Sequence, residues 1–422
     1  MGEGSRDGAQ APERSEDKRA QGLSNAARIN QQNRWEAWGN FPPKSVLPEE
    51  NSKRIGTHPL RPRSEPRPNP TDFSISLRAK FSTDQQLLSP GSSRAHSMRG
   101  FEDTYVDIVD FIVRATHRIW EEKDIGYIYD HYHHSIRVVD DAGLAVGRDK
   151  VIANTIQFIN AFPDIRILAD EIVWAGNDEV GFHTSHRAFI TGTNTGDSQF
   201  GPPTGRKVHF WLVANCIFVA NENIEEWVIY NTSSLLNQLG FDLREKARED
   251  DSQLGGGVDD TFGEPDRLSG QGKPQHLSPQ TTDGFDIDYF IRSAYHYIWN
   301  WRMLGKIHEV YAPILRFFGP TDRKGYGRGD YQSFVLSVLA TFPDLVITLD
   351  DLYWMGNDVE GYVTSVRWSL IGSHQGRGLY GPPTGRRVHM WGITQHVVKE
   401  GKIREEWTMF NEFDVMRQLY RV

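Results

Sequence analysis

The hexapeptide GPPTGR occupies residues 201–206 and occurs again, unchanged, at 381–386. Two consecutive prolines fix φ twice and remove two backbone donors, and the Thr-Gly pair that follows admits a turn with positive φ. The segment therefore reads as a stiff corner that aims the next strand, RKVHFW in the first copy and RRVHMW in the second. At the same offset of 180 residues the comparison extends without a gap. FPDIRILADEIVWAGND (162–178) faces FPDLVITLDDLYWMGND (342–358), TSHR (184–187) faces TSVR (364–367), and EEWVIYN (225–231) faces EEWTMFN (405–411). With a one-residue shift, HRIWEEKDIGYIYDHY (117–132) faces HYIWNWRMLGKIHEVY (296–311). The chain thus carries an internal duplication of a unit of ordinary domain size.

Within each repeat the apolar period changes along the chain. Tyr105, Ile108, Val109, Ile112 and Val113 fall on one helical face, as do Ile287, Phe290, Ile291, Ala294 and Ile298. VIANTIQFINAF (151–162) and YQSFVLSVLATF (331–342) read as further helices. Runs rich in Val, Ile, Trp, Thr and Phe follow, with the shorter period of strands. Helices first and strands after indicate an α+β class, with helices on one face of an antiparallel sheet. Residues 1–100 are expected to be a mostly disordered arm, rich in Pro and Arg at HPLRPRSEPRPNP (58–70), with an aromatic island NRWEAWGNF at 33–41. Order is expected to begin near Phe101, giving repeat one over 101–240, a Gly-rich linker over 241–283, and repeat two over 284–422.

Composition excludes several classes. Of 422 residues, 38% are hydrophobic, and no window offers the roughly 20 apolar residues of a membrane span. Net charge is −9, which supplies no basic footprint for nucleic acid. The arm carries about +5 and the remainder about −14. The first residues show no apolar leader, and the single cysteine, Cys216, allows no internal disulfide, so a reducing, cytoplasmic setting is expected.

The motif series GTNTG (192–196), GPPTGR, a basic residue and a strand, Glu-Glu-Trp and a closing QLG (238–240) resembles the SnoaL-like family of polyketide cyclases, within the nuclear transport factor 2-like (NTF2-like) superfamily. Repeat two carries a matching series, with GSHQG at 372–376 and a closing QLY (418–420). The resemblance implies two tandem cone folds, each a curved antiparallel sheet wrapped by helices around an apolar pocket, and an intrachain pseudo-dimer. It also implies a small apolar or aromatic ligand and ring-closing chemistry without metal or organic cofactor. It leaves pairing with further copies open. The family's general acid–base group is an Asp four residues beyond the Trp, and here that place holds Asn231 and Asn411. An amide makes hydrogen bonds but takes up no proton. The leading expectation is a cyclase, isomerase or hydrolase acting on an apolar carbonyl compound, with Asn231 orienting the carbonyl. The alternative is a non-catalytic ligand-binding or assembly module.

Other groups could supply the base. His209 and His389 share strand faces with Trp211 and Trp391, and those faces read either as pocket or as the surface between repeats. One of each pair Glu225/Glu226 and Glu405/Glu406 points inward, and a buried carboxylate there would have a raised pKa. That makes Glu226 and Glu406 candidates beside the solvated reading. Arg187 and Arg367 suit an ion pair with Asp170 or Glu171 and Asp350 or Asp351, or binding of an anionic group. Trp174, Trp227, Trp354 and Trp407 are candidates for a ligand wall, beside a core role. His131, His133, His134, His183 and His186 occur in repeat one only, giving it more titratable material, and His186 is a candidate ligand contact. No carboxylate completes a metal-ligand spacing around them, and no metal site is expected.

Overall fold

The computed structural model describes Met1 and residues 67–80, 82–141, 143–249, 272–280 and 282–421. The chain divides into residues 1–65 and 66–422, and the second unit contains both repeats. The aromatic island at 33–41 and the GGG stretch at 255–257 lie outside the described residues.

Repeat one starts with helix α2 (Ile108–Trp120), capped by Asp107, whose side chain accepts from the Asp110 amide. A short helix α3 (Ile128–His131) leads into strands β1 (Tyr132–Asp140) and β2 (Gly143–Val146), then α4 (Arg148–Ala161). Strands β3 (Arg166–Asn177), β4 (Gly181–Thr193), β5 (Lys207–Val219) and β6 (Glu222–Tyr230) follow, closed by α5 (Thr232–Leu239). The sheet order is β2-β1-β6-β5-β4-β3. Repeat two copies it with α7 (Ile287–Ala294), α8 (Lys306–Val310), β7 (Tyr311–Phe318), β8 (Lys324–Tyr326), α9 (Arg328–Thr341), β9 (Val346–Asn357), β10 (Gly361–Ser373), β11 (Arg387–Lys399), β12 (Lys402–Phe410) and α10 (Glu412–Tyr420). Its order is β8-β7-β12-β11-β10-β9. One detail corrects the all-antiparallel expectation: β1 runs parallel to β6, and β7 to β12. Both sheets are curved by bulges at matching places, where register shifts between Ala169 and Glu171 and between Ile217 and Phe218, and at their counterparts.

GPPTGR is the corner its composition indicates. Gly205 and Gly385 take φ of +68° and +72°. The Thr204 amide and hydroxyl both bond Asn194 Oδ1, at 2.8 and 3.0 Å, folding the corner onto GTNTG. The Gln of the closing QLG ties the last helix to β5. Gln238 Oε1 accepts from the His209 amide and its Nε2 donates to the His209 carbonyl, each at 2.8 Å, and Gln418 treats His389 the same way.

Side-chain parity on the central strands divides the molecule. Phe210, Leu212, Ala214 and Val228 face their own helices. Trp211, Val213, Trp227 and Ile229 face Trp391, Ile393, Trp407 and Met409 of the other repeat. The two sheets thus pair within one chain. Arg187 lies 4.2 Å from the Trp407 ring centroid and Arg367 lies 4.1 Å from that of Trp227, two matched cation–π contacts. Arg187 Nη1 also donates to Gln395 Oε1 (2.8 Å), while Gln395 Nε2 donates to Ser185 O (3.0 Å) and Oγ (2.9 Å). Gln395 is 1% exposed. Gln395→Ala strips all three bonds from buried groups and is expected to cost about 2 kcal/mol, seen as a lower urea midpoint. Asn215→Ala, which loses a single 3.3 Å bond to Ser365, is expected to cost less.

Two expectations are corrected. Residues before Phe101 are packed from Arg67 onward. The Pro68 carbonyl accepts from Gly176 N and the Pro70 carbonyl from Gly356 N, so one strap spans corresponding glycines of the two repeats. The strap continues through helix α1 (Thr83–Leu88), and Leu77 and Met98 are 5% and 1% exposed. The expected linker starts as helix α6 (Leu243–Glu249), whose Arg244 donates to the Tyr380 carbonyl and the Tyr420 hydroxyl of repeat two.

Candidate functional site

Repeat one encloses a cavity of about 80 Å³. One water needs roughly 10–15 Å³ on that scale, so the space admits about half a dozen water-sized groups. Its walls come from Ile112, Thr116 and Trp120 of α2, Thr184 and His186 of β4, Cys216 of β5, and Asn223, Glu226 and Tyr230 of β6. Parity explains the strand residues: Thr184, His186, Cys216, Glu226 and Tyr230 are on the face opposite the repeat–repeat contact, and the register shift between Asn223 and Glu225 brings Asn223 to the same side. Tyr132, Cys216, Glu226 and Tyr230 are surrounded by protein yet keep part of their surface accessible. All four line the cavity, which is what leaves that surface open.

Glu226 is the chemical centre. Burial pushes its carboxyl up to about 7, with Asp140 adding to the rise and hydrogen bonds from Tyr132 and Asn223 opposing it. Asn223 Nδ2 donates to Oε2 at 2.9 Å. Burial also holds the His186 imidazole down at about 4 and His131 down at about 3, so both rings are neutral at pH 7. The Cys216 thiol is pushed up, by burial first and by Glu226 second, and stays protonated. Among the described residues, no group of three His, Cys, Asp or Glu side chains is placed to hold a metal ion.

The shift of Glu226 has a sign that can be tested. Its carboxyl binds a proton more tightly folded, at about 7, than at the ordinary 4.5. Its stabilisation is therefore complete below pH 4.5 and lost as pH rises through 7, an effect of roughly 3 kcal/mol. Glu226→Gln carries no such loss. Urea unfolding from pH 4.5 to 8 is expected to show the variant gaining on the wild type up to pH 7.5, then running parallel.

Repeat two is built differently at the same place. Its cavity is about 30 Å³. Trp368 stands where repeat one has Ala188, and Gly392 where it has Leu212. A side chain at Gly392 would lie 2.2 Å from Trp368 Cζ2, so the glycine admits the indole and the indole fills the chamber. Trp368 Nε1 donates to Thr394 Oγ1 at 2.9 Å. Glu406 is also held up near 7 by burial, but both its oxygens are occupied, by Tyr311 (2.7 Å) and Thr408 (2.8 Å).

The other residues singled out in the sequence are elsewhere. Asn231 is 1% exposed but does not line the cavity. Its Oδ1 accepts from the Thr321 amide of repeat two (2.9 Å) and its Nδ2 donates to Asp322 Oδ1 (3.3 Å). The expected pairing of Asn231 with a base in the pocket is therefore corrected, because both ends of the amide are committed across the repeat–repeat contact. Asn411 caps α10, its Oδ1 accepting from Asp414 N (2.9 Å). Trp227, Trp407, Arg187 and Arg367 are at the same contact rather than on a ligand wall. Arg187 Nε donates to Asp170 Oδ2 (2.6 Å) and Arg367 is 3.8 Å from Asp350. Trp174 bonds the Ile75 carbonyl of the strap, and the Trp354 amide bonds Asn69. His209 is exposed and stacks on Phe189, and His389 is buried beside α10. Of the residues named from the sequence as acting on a ligand, only Glu226 and His186 reach the first cavity and Glu406 the second. Tyr132, Thr184, Asn223 and Tyr230 were not singled out. The cross-strand register that sets Cys216 opposite Glu226 is the signal that finds them.

Solved structures similar to single repeats include TsrD from Streptomyces laurentii, at 20% identity over 33% of this chain and 100% of that one, with a TM-score of 0.29. A SnoaL-like polyketide cyclase from Agrobacterium tumefaciens str. C58 matches at 18%, over 32% and 99%, with a TM-score of 0.27. A SnoaL-like protein from Jannaschia sp. CCS1 matches at 18%, over 33% and 97%, with a TM-score of 0.30. No curated protein matches this chain. The SnoaL-like polyketide cyclase family matches twice, over residues 110–239 and 290–419, more than half of the sequence. The chain belongs to the SnoaL-like polyketide cyclase family, which it carries as two fused copies.

Proposed function

We propose that repeat one is an enzyme for a small carbonyl compound, and that repeat two is its non-catalytic scaffold. The reaction type is proton transfer beside a carbonyl, as in a cyclase or isomerase, and it needs no metal or organic cofactor. Ionised Glu226 takes a proton from the carbon next to the carbonyl. The electron pair of that C–H bond forms the carbon–carbon double bond of an enolate, and charge moves to the carbonyl oxygen. His186, in its Nε2–H tautomer, donates a hydrogen bond to that oxygen. Protonated Glu226 then returns the proton to carbon, or to the alkoxide formed on ring closure.

The observation that carries this reading is a carboxyl group poised near pH 7 on the wall of a chamber that a small molecule can occupy. The second reading, a non-catalytic module, suits repeat two, where Trp368 takes the space. The test is deuterium incorporation into butanone in D₂O, followed by proton NMR. Acceleration by the wild type that Glu406→Gln keeps and Glu226→Gln loses supports the reading. A rate equal to that in buffer at 100 mM butanone, or one untouched by Glu226→Gln, rejects it.

A further inference from the structure

Four buried polar atoms of residues that line the first cavity have no hydrogen-bond partner among the described residues: Thr184 Oγ1, His186 Nε2, Asn223 Oδ1 and His131 Nδ1. Their residues are 0%, 7%, 1% and 5% exposed. Leaving such a group unbonded costs about 1–3 kcal/mol, so the cluster calls for an occupant that bonds several of them. Repeat two shows the contrast. Its places for His131, His186 and Asn223 hold Val310, Val366 and Ile403. Its Thr364, matching Thr184, is bonded at 2.9 Å to His396, which stands where repeat one has Cys216. The copy with a filled chamber has removed or satisfied each group that the open copy leaves waiting.

The bonding sense of these atoms restricts the occupant. Asn223 Nδ2 donates to Glu226, which leaves Oδ1 as the unused acceptor of a residue on the wall, and an acceptor requires a donor from the ligand. His186 and Thr184 stand side by side on one face of β4 and can both donate to a single oxygen. No Lys or Arg lines the chamber, while Glu226 does, so a carboxylate or phosphate on the ligand would meet no countercharge there.

We infer that the chamber takes an uncharged hydroxy-carbonyl compound whose inner end is about five or six non-hydrogen atoms, its hydroxyl donating to Asn223 Oδ1 and its carbonyl accepting from His186 and Thr184. The inference deepens the proposed function and rests on its placing of the ligand in this cavity. It goes beyond the apolar ligand expected from the sequence, because the buried end of the molecule is polar.

Four probes of five non-hydrogen atoms test it, by ligand-observed saturation-transfer NMR with the full chain. Hydroxyacetone carries both groups, butanone lacks the hydroxyl, glycolate is anionic and isobutylamine is cationic. Hydroxyacetone is expected to bind at least tenfold tighter than butanone, with no glycolate binding and weaker isobutylamine binding. Asn223→Ile and His186→Val copy the residues that the second repeat already accommodates. Asn223→Ile is expected to bring hydroxyacetone down to the level of butanone while leaving butanone unchanged, and His186→Val, which removes a donor to the carbonyl, is expected to weaken both. Equal binding of hydroxyacetone and butanone overturns the inference. So does preferred binding of either charged probe, binding unaffected by both variants, or no binding of any probe at 100 mM, which would mean that water alone satisfies the four atoms. Glu226→Gln separates the two proposals. Hydroxyacetone binding retained with proton exchange lost upholds both. Binding and exchange both retained removes Glu226 from the chemistry and leaves the ligand class standing.

Discussion

Replacing Glu226 by Gln is expected to lower the rate of deuterium incorporation into a bound ketone by 10²- to 10⁴-fold, with little change in ligand affinity. The magnitude is the usual contribution of a positioned general base. The substitution preserves volume and leaves an oxygen to accept from Asn223 Nδ2, so the cavity wall keeps its shape. What it removes is the group whose proton affinity burial has tuned to about 7. The wild-type exchange rate is therefore expected to rise with pH and level off above about 7, as the carboxylate form fills. The variant is expected to show no such rise. Glu406→Gln is the matched control, because that carboxyl has a similar raised affinity but no open chamber beside it. A parallel loss in both variants would mean that the rate depends on fold stability rather than on the group in the first cavity.

Restoring the family's aspartate at one repeat, as Asn231→Asp, is expected to destabilise the protein by about 1–3 kcal/mol at pH 7.5. The side chain is 1% exposed, and its amide nitrogen faces Asp322 Oδ1 at 3.3 Å. A carboxylate there would be a buried charge set beside that of the exposed Asp322, and would remove the donor that Asp322 uses. Thr321 and Asp322, at φ of +55° and +57°, form the tight turn between β7 and β8, and Ser234 also bonds Asp322, so the turn is held in place. Acidification to pH 4.5 is expected to recover most of the loss, because one proton shared by the two carboxyls relieves the repulsion. Asn411→Asp is expected to change stability by less than 1 kcal/mol. That residue acts as a helix cap toward the Asp414 amide, a task Asp performs as well as Asn. Urea midpoints at the two pH values measure both variants. The amide at 231 thus answers to the other repeat, whereas nothing in the structure requires an amide at 411.

The duplication was legible because motifs recur at an offset of 180 residues, the α+β class because the apolar period changes along each repeat, and alternation on β5 and β11 separates two usable faces. Trp211 and Phe210 belong to opposite sides whatever the surroundings. Which side holds the open cavity was not legible, since both faces of β5 are largely apolar and parity is silent about what covers each. That is why Trp227, Trp407, Arg187 and Arg367 read as ligand contacts and turn out to join the repeats. The strap from Arg67 was invisible for a different reason. It is fixed by the Pro68 and Pro70 carbonyls and by isolated side chains such as Leu77, and none of these leaves a period in the sequence. Helix α6 is too short to stand out of a polar stretch, and its docking depends on Arg244 meeting Tyr420, some 176 residues away. Glu226 was legible as one of a pair. Its partner Glu225 is taken by Arg137 at 3.2 Å on the opposite face, and only the register across β1, β5 and β6 decides between them.

The measurement that bears most directly on the asymmetry of the two repeats is a side-chain ¹³C NMR titration of the glutamate carboxyls, with Glu226 and Glu406 assigned through their Gln variants. The account expects both signals to titrate near pH 7, and the Glu226 signal alone to move when hydroxyacetone is added. A Glu226 signal titrating near 4.5, or one that stays put while Glu406 moves with ligand, would contradict it.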